Sequence, residues 1–323
     1  MGDLMVAELL SIRVCRVVML LLGCLALAWL AVGCSRSDTP EVSLEKRVPL
    51  ENLSAAKKDT PLRIGMGAMI TPKEGYVFYS RLKEYLASQL NMPVTLVDRE
   101  NYEEMNKLLD SGGVDSAFVC AGPYVEGHDR FGLEILVMPL VKGKPVYHSY
   151  IIVPLDSPVQ RLEELRGKTF AFTDPKSNSG KSVPTYLLAR MGESPETFFG
   201  KYWYTYGHDK SITAVAEKLV DGAAVDSLIW EYLNRVKPDV TQKTRIVNVS
   251  EPYGIPPLVV RKELDPGLKE RLRQAFVTMD NDPEGKKILA GMMIDRFVPG
   301  DDGNYDSIRA INRWIAKQKP GKP

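Results

Sequence analysis

Residues 168–182 read Lys-Thr-Phe-Ala-Phe-Thr-Asp-Pro-Lys-Ser-Asn-Ser-Gly-Lys-Ser, and here the chain concentrates groups able to hold an anion. An apolar β run ends at Phe172, then Ser177, Asn178, Ser179 and Gly180 follow, and a helical pattern opens near Lys181. The first N–H groups of a helix lack internal partners and sit at the positive end of its dipole. Hydroxyls and an amide beside them suit a tetrahedral oxyanion, and Gly180 lets backbone approach it closely. The same residues could do no more than cap the helix, but one cap residue would suffice for that. The ending Gly180-Lys181-Ser182 also matches a P-loop. Pro175, however, stands where that loop's first glycine belongs, and it can neither donate an N–H nor adopt the required angles.

Other chemistry is sparse. His128, His148 and His208 are the only histidines, and none has a second His or Cys at ligand spacing, so neither a metal site nor a cofactor is indicated. His208 lies in Tyr206-Gly207-His208-Asp209, just before a helical run, where it could donate to an anionic ligand, titrate with it, or stand idle on a surface loop. Gly65-Met66-Gly67 with Asp98 mimics a dinucleotide fingerprint, but Ile70 replaces the third glycine and the acid comes too late. No Gly-x-Ser-x-Gly elbow occurs, and nothing marks an activated nucleophile. The chain reads as a binder, not an enzyme.

Over 323 residues, 42 Lys+Arg meet 41 Asp+Glu for a net charge of +1, which argues against a nucleic-acid partner. Three of the four cysteines, Cys15, Cys24 and Cys34, crowd the start. Arg13 and Arg16 precede an uncharged apolar run that ends in small residues at Gly33-Cys34-Ser35, the pattern of a secretion signal. Leu30-Ala31-Val32-Gly33-Cys34 resembles the bacterial lipobox, with Ala31 where Leu is usual. Residues 1–33 are therefore expected to be a lipoprotein signal peptide and Cys34 the lipid-attachment residue; the alternative is an uncleaved membrane anchor. Either way the body faces outward from the cytoplasm, at the periplasm or cell exterior. Residues 34–60, polar and with Pro40 and Pro49, read as a tether. Cys120 then has no disulfide partner.

Beyond the tether, strands and helices alternate. Residues 62–66 and 94–97 are β runs flanking a helix with Phe78, Leu82, Leu86 and Leu90 on one face. A short helix carries Tyr102, Met105 and Leu109, and β runs follow at 114–119, 133–138 and 147–153. A second series includes strands at 168–172, 203–206, 224–229 and 246–249, with helices at 181–191 and 212–220. The chain returns to β at 258–260 and closes with helices, the last lined by Ile308, Ile311 and Ile315. This alternation predicts an α/β protein with mainly parallel sheets covered on both faces.

The body resembles the periplasmic phosphonate/phosphite/phosphate-binding proteins of ABC importers, a branch of the type II periplasmic binding proteins. Markers include Asn101-Tyr102, Gly113-Val114-Asp115, Tyr147-His148-Ser149, Leu162-Glu163-Glu164-Leu165-Arg166-Gly167-Lys168, Thr173-Asp174-Pro175, Gly207-His208-Asp209 and Val225-Asp226. The resemblance implies two α/β lobes with a ligand cleft between them. One lobe is discontinuous, 61–152 with 257–323, and the other is 153–256. It implies that Ser177, Asn178, Ser179, Gly180 and His208 hold the oxyanion, with Tyr102 and Tyr147 facing it from the other lobe and the crossover. Asn178 replaces the family's Thr and keeps a donor. No carboxylate follows Glu251 near the last hinge strand, so an anion without an amine (phosphite, phosphate or methylphosphonate) is favoured.

On this reading the chain is a monomeric, lipid-anchored binding protein that captures a small phosphorus oxyanion and delivers it to an ABC permease. The alternative is a sensor subunit with the same cleft reporting to a membrane signalling protein. A hydrolase of phosphorus compounds ranks last.

Overall fold

The computed structural model describes residues 60–67 and 72–318. The expected signal peptide, Cys34 and nearly all of the tether lie outside the described residues. Among the described residues no helix is long and apolar enough to cross a membrane, and no group of three His, Cys, Asp or Glu could hold a metal ion.

The first half runs β1 (Leu62–Met66), α1 (Pro72–Leu90), β2 (Val94–Asp98), α2 (Tyr102–Asp110), β3 (Ser116–Phe118), α3 (Ala121–Phe131) and β4 (Glu134–Leu140). After the short β5 (Val146–Tyr147) come β6 (Ser149–Pro154), β7 (Thr169–Phe172), α4 (Val183–Arg190), α5 (Pro195–Phe198), β8 (Lys201–Tyr204), α6 (His208–Ala216), β9 (Gly222–Asp226), α7 (Ser227–Val236), α8 (Pro238–Thr241) and β10 (Thr244–Val249). The chain then returns through β11 (Tyr253–Gly254) and β12 (Leu258–Val260) to α9 (Pro266–Val277), α10 (Pro283–Gly291), β13 (Arg296–Pro299) and α11 (Asp306–Gln318).

These strands build two lobes. One sheet has the order β13-β4-β12-β3-β1-β2 and the other β10-β6-β9-β7-β8. Both are mixed, not mainly parallel as the alternation predicts. Only β1 with β2 and β3, and β7 with β8 and β9, pair in parallel. The physical reason is the crossing. A strand arriving directly from the other lobe has no helical crossover to reverse it. Thus β12 enters antiparallel between β3 and β4, and β6 antiparallel between β9 and β10. β6 lies in the second sheet from Ser149 onward, ahead of the 152/153 division that the resemblance implies.

The two crossing segments pair with each other as β5 and β11, with Tyr253 opposite Tyr147. A third link is α11, whose Trp314 meets Tyr186 of α4 edge-on at 5.0 Å between ring centroids. Each lobe buries its own apolar layers: Leu86, Phe118, Leu258 and Phe276 in the first, Phe170, Phe172, Ile212 and Val215 in the second. Asp115 ties β3 to its neighbours by accepting from the Arg63 backbone and side chain and from Arg261. Burial opposes its ionisation, but those hydrogen bonds prevail and hold the carboxyl below its usual range.

Three element readings change. Residues 121–131 form a helix that carries Gly122, Pro123 and Gly127, poor helix formers that hide its period. The apolar run 224–229 divides at Asp226, whose side chain accepts from Leu228 N and so starts α7. Strand β13 escaped notice because it is a short edge strand with one buried residue, Phe297.

Candidate functional site

The polar loop of residues 173–182 closes into a single π-turn, Asn178–Ser182, between β7 and α4. Ser182 N donates to Ser177 O at 3.0 Å, and Thr173 N donates to Gly180 O at 3.2 Å, so the loop folds back on the strand it leaves. Ser177 Oγ accepts from Gly180 N at 3.0 Å. A Cβ on Gly180 would lie 2.6 Å from Thr173 Cβ and Oγ1, which is why glycine stands there. Single-turn π segments interrupt helical bonding and leave polar groups free to turn elsewhere. Ser177, Asn178 and Ser179 are all fully buried.

His208 opens α6 with no side chain capping that helix. Its Nδ1 accepts from the backbone N–H of Asp226 at 3.0 Å, and Thr173 Oγ1 lies 3.0 Å from the same atom. Burial lowers its pKa to about 3. The ring is therefore neutral at physiological pH, with its proton on Nε2. Its Nε2 is buried without a hydrogen-bond partner.

Tyr102 is the first residue of α2, capped by Asn101, whose side chain accepts from Glu104 N at 2.9 Å. Tyr102 packs on Cys120 at the start of α3, and its backbone N–H donates to Asp174 Oδ2 of the other lobe at 3.2 Å. Tyr147, in the crossing ladder, accepts from Asn178 Nδ2 at 3.0 Å. Burial, reinforced by nearby Cys120 and Asp226, pushes both phenols well above their ordinary value, so both stay protonated. Hydrogen bonds and packing thus link all seven residues proposed from sequence into one buried polar cluster where the lobes meet.

Five polar side-chain atoms of this cluster are buried without a hydrogen-bond partner: Tyr102 Oη, Asn178 Oδ1, Ser179 Oγ, His208 Nε2 and Asp226 Oδ2. Native interiors rarely leave such atoms unpaired, because each costs on the order of 1–3 kcal/mol. A small molecule with several oxygens would supply the partners they lack. Three are donors (two hydroxyls and an imidazole N–H) and two are acceptors. The Asn178 amide gives one N–H to Tyr147 and keeps a second, while its Oδ1 is left without a partner.

Asp226 is absent from the sequence-derived set. The available signal was Val225-Asp226 at the end of an apolar strand, beside a helix start. Its Oδ1 caps α7 by accepting from Leu228 N at 2.7 Å. Burial pushes its carboxyl up to about 7, against the lowering effect of the Leu228 and Ile229 N–H groups.

Contacts between the lobes surround the chamber. Lys176 Nζ lies 2.5 Å from Glu126 and from Glu103 across the cleft. On the far side, Lys142 Nζ meets Glu231 Oε2 at 2.9 Å, and Phe78 meets Tyr232 edge-on at 6.1 Å. The lobes are closed on each other.

Comparison with known proteins agrees with this architecture. The phosphonates-binding periplasmic protein of Escherichia coli strain K12 is 32% identical over 193 residues, 58% of this chain and 56% of its own length. A probable ABC transporter phosphite-binding protein of Prochlorococcus marinus is 25% identical over 167 residues, 50% of this chain and 56% of that protein. The chain thus spans little more than half the length of these relatives. That Prochlorococcus protein, solved with methylphosphonate, superposes with a TM-score of 0.73 at 18% identity, over 79% of this chain and 98% of that one. A binding-protein component of an ABC phosphonate transporter from Pseudomonas aeruginosa superposes with a TM-score of 0.77 at 25% identity, over 80% and 88% of the two chains. The fold is that of the type II periplasmic binding proteins. Residues 64–305 match the profile of the ABC-transporter phosphonate periplasmic substrate-binding proteins. With two closed lobes and a buried polar chamber between them, the chain belongs to that family.

Proposed function

We propose that the protein is the substrate-binding component of an ABC importer, capturing a small phosphorus oxyanion between its lobes for a membrane permease. The observation that carries this reading is the convergence of the five unpartnered buried atoms, three donors and two acceptors. Ser179, His208 and Tyr102 donate to anionic oxygens, while Asp226 Oδ2 and Asn178 Oδ1 accept from a P–OH group. Tyr147 holds Asn178 in place, and Ser177 and Gly180 shape the turn. The relatives named for phosphonates and phosphite support the ligand class.

Isothermal titration against phosphate, phosphite, methylphosphonate and 2-aminoethylphosphonate tests the class; no heat with any of them, in protein freed of ligand, overturns it. The same experiment has a pH signature. Asp226 and the P–OH group share one proton in the complex. Above about pH 8 that proton must come from solvent, so affinity falls about tenfold per pH unit. Asp226→Asn keeps a donor at every pH and flattens that slope. A wild-type affinity independent of pH would remove Asp226 from the site.

The lipid anchor on Cys34 belongs to the same proposal, since an exported binding protein on a lipid tether stays near its permease. Mass spectrometry of the mature protein is expected to show a diacylated Cys34 as the first residue. An intact, unacylated N-terminus would refute the anchor.

A further inference from the structure

A cavity of about 410 Å³ adjoins the polar cluster, with Tyr147 and Asp226 of that cluster in its wall. Its other walls come from both lobes and are mostly apolar, among them Phe118, Leu228, Ile229 and Met293. The lobes touch at its wall, where Lys142 reaches Glu231, and elsewhere where Tyr102 N reaches Asp174. A methyl group takes about the volume of one water, ~30 Å³, so neither phosphite nor methylphosphonate would fill this space. Cavities of several hundred Å³ lined by apolar and aromatic side chains are the ordinary seats of organic ligands.

Two acids line this wall: Asp226, which the oxyanion reading gives to the phosphorus end, and Glu231, which accepts from Lys142 Nζ at 2.9 Å and from Tyr150 Oη at 3.2 Å. With Asp226 so engaged and Glu231 paired, no carboxylate is left over for an ammonium group. We infer that the ligand is an organophosphonate with an uncharged apolar or aromatic substituent, its phosphorus end in the chamber and its carbon end in this vestibule. The inference rests on the oxyanion reading above and adds the nature of the substituent, which a small inorganic anion lacks. The substituent leaves the chamber past Tyr147 and Asp226, the residues common to both compartments.

The test is isothermal titration of the ligand-free protein with methylphosphonate, n-butylphosphonate and phenylphosphonate. The expected order is phenyl and butyl tighter than methyl, phenylphosphonate by at least about tenfold, as burial of several apolar carbons requires. Leu228→Trp, at a half-buried position where the larger ring would occupy the vestibule, is expected to lower the phenyl-to-methyl affinity ratio about tenfold. Methylphosphonate binding as tightly as phenylphosphonate would overturn the vestibule while leaving the oxyanion reading intact. Absence of heat with all three, and with phosphate and phosphite, would overturn both.

Discussion

Gly122→Ala is expected to weaken oxyanion binding by about 100-fold or more while leaving the ligand-free protein at least as stable as wild type. Gly122 sits in the first turn of α3 in one lobe, and the atoms nearest it belong to the loop of the other lobe. An added Cβ would lie 2.3 Å from Lys176 O and 3.1 Å from Asn178 N. Both are backbone atoms, so no side-chain rotation relieves the clash; the lobes must separate. Within its own lobe the change is benign, since alanine favours a helix by about 1 kcal/mol over glycine. The penalty therefore falls on the closed state alone, and apparent affinity drops in proportion to the closed fraction. Titration calorimetry with thermal denaturation of the free protein separates the two effects. Wild-type affinity in Gly122→Ala would show that binding does not need this closure.

Ser177→Ala combined with Ser179→Ala is expected to lower affinity by on the order of 1,000-fold, with different causes in each single variant. Ser179 Oγ has no partner, so its loss removes a donor to a charged ligand, worth about 1.5–3 kcal/mol, or roughly 10- to 150-fold. It leaves the ligand-free fold untouched. Ser177 Oγ accepts from Gly180 N; without it a buried N–H loses its acceptor, the turn loosens, and the melting temperature falls as well. Single variants measured by calorimetry and thermal melts resolve these roles. Unchanged affinity in the double variant would reduce the loop to a helix cap.

The polar loop was legible because its chemistry is local. Four hydrogen-bonding residues between an apolar strand and a helical period mark a candidate anion site wherever the chain later folds. Tyr102 and Tyr147 were candidates only through the family resemblance, since nothing in their own neighbourhoods distinguishes them from core residues, whereas His208 also stood out by its place just before a helical run. Asp226 was not legible as a site group. Its sequence context reads as a helix cap, and one of its oxygens is indeed a cap; the other faces the chamber. Gly122 was hidden for a related reason, because its neighbours in space are more than fifty positions away in the chain.

The sequence by itself determined the alternation of strands and helices, the class of the protein and the chemistry of the loop, all properties of residues close together along the chain. Tertiary structure alone decided four further matters: the mixed pairing of the sheets, the tautomer of His208, the orientation of the Asn178 amide and the mostly apolar cavity lined by Tyr147 and Asp226. Each depends on a contact made across the fold, such as Asp226 N to His208 Nδ1 or Asn178 Nδ2 to Tyr147 Oη. A donor's direction, an acceptor's vacancy and a cavity's shape are settled by what packs opposite, and no local pattern carries that information.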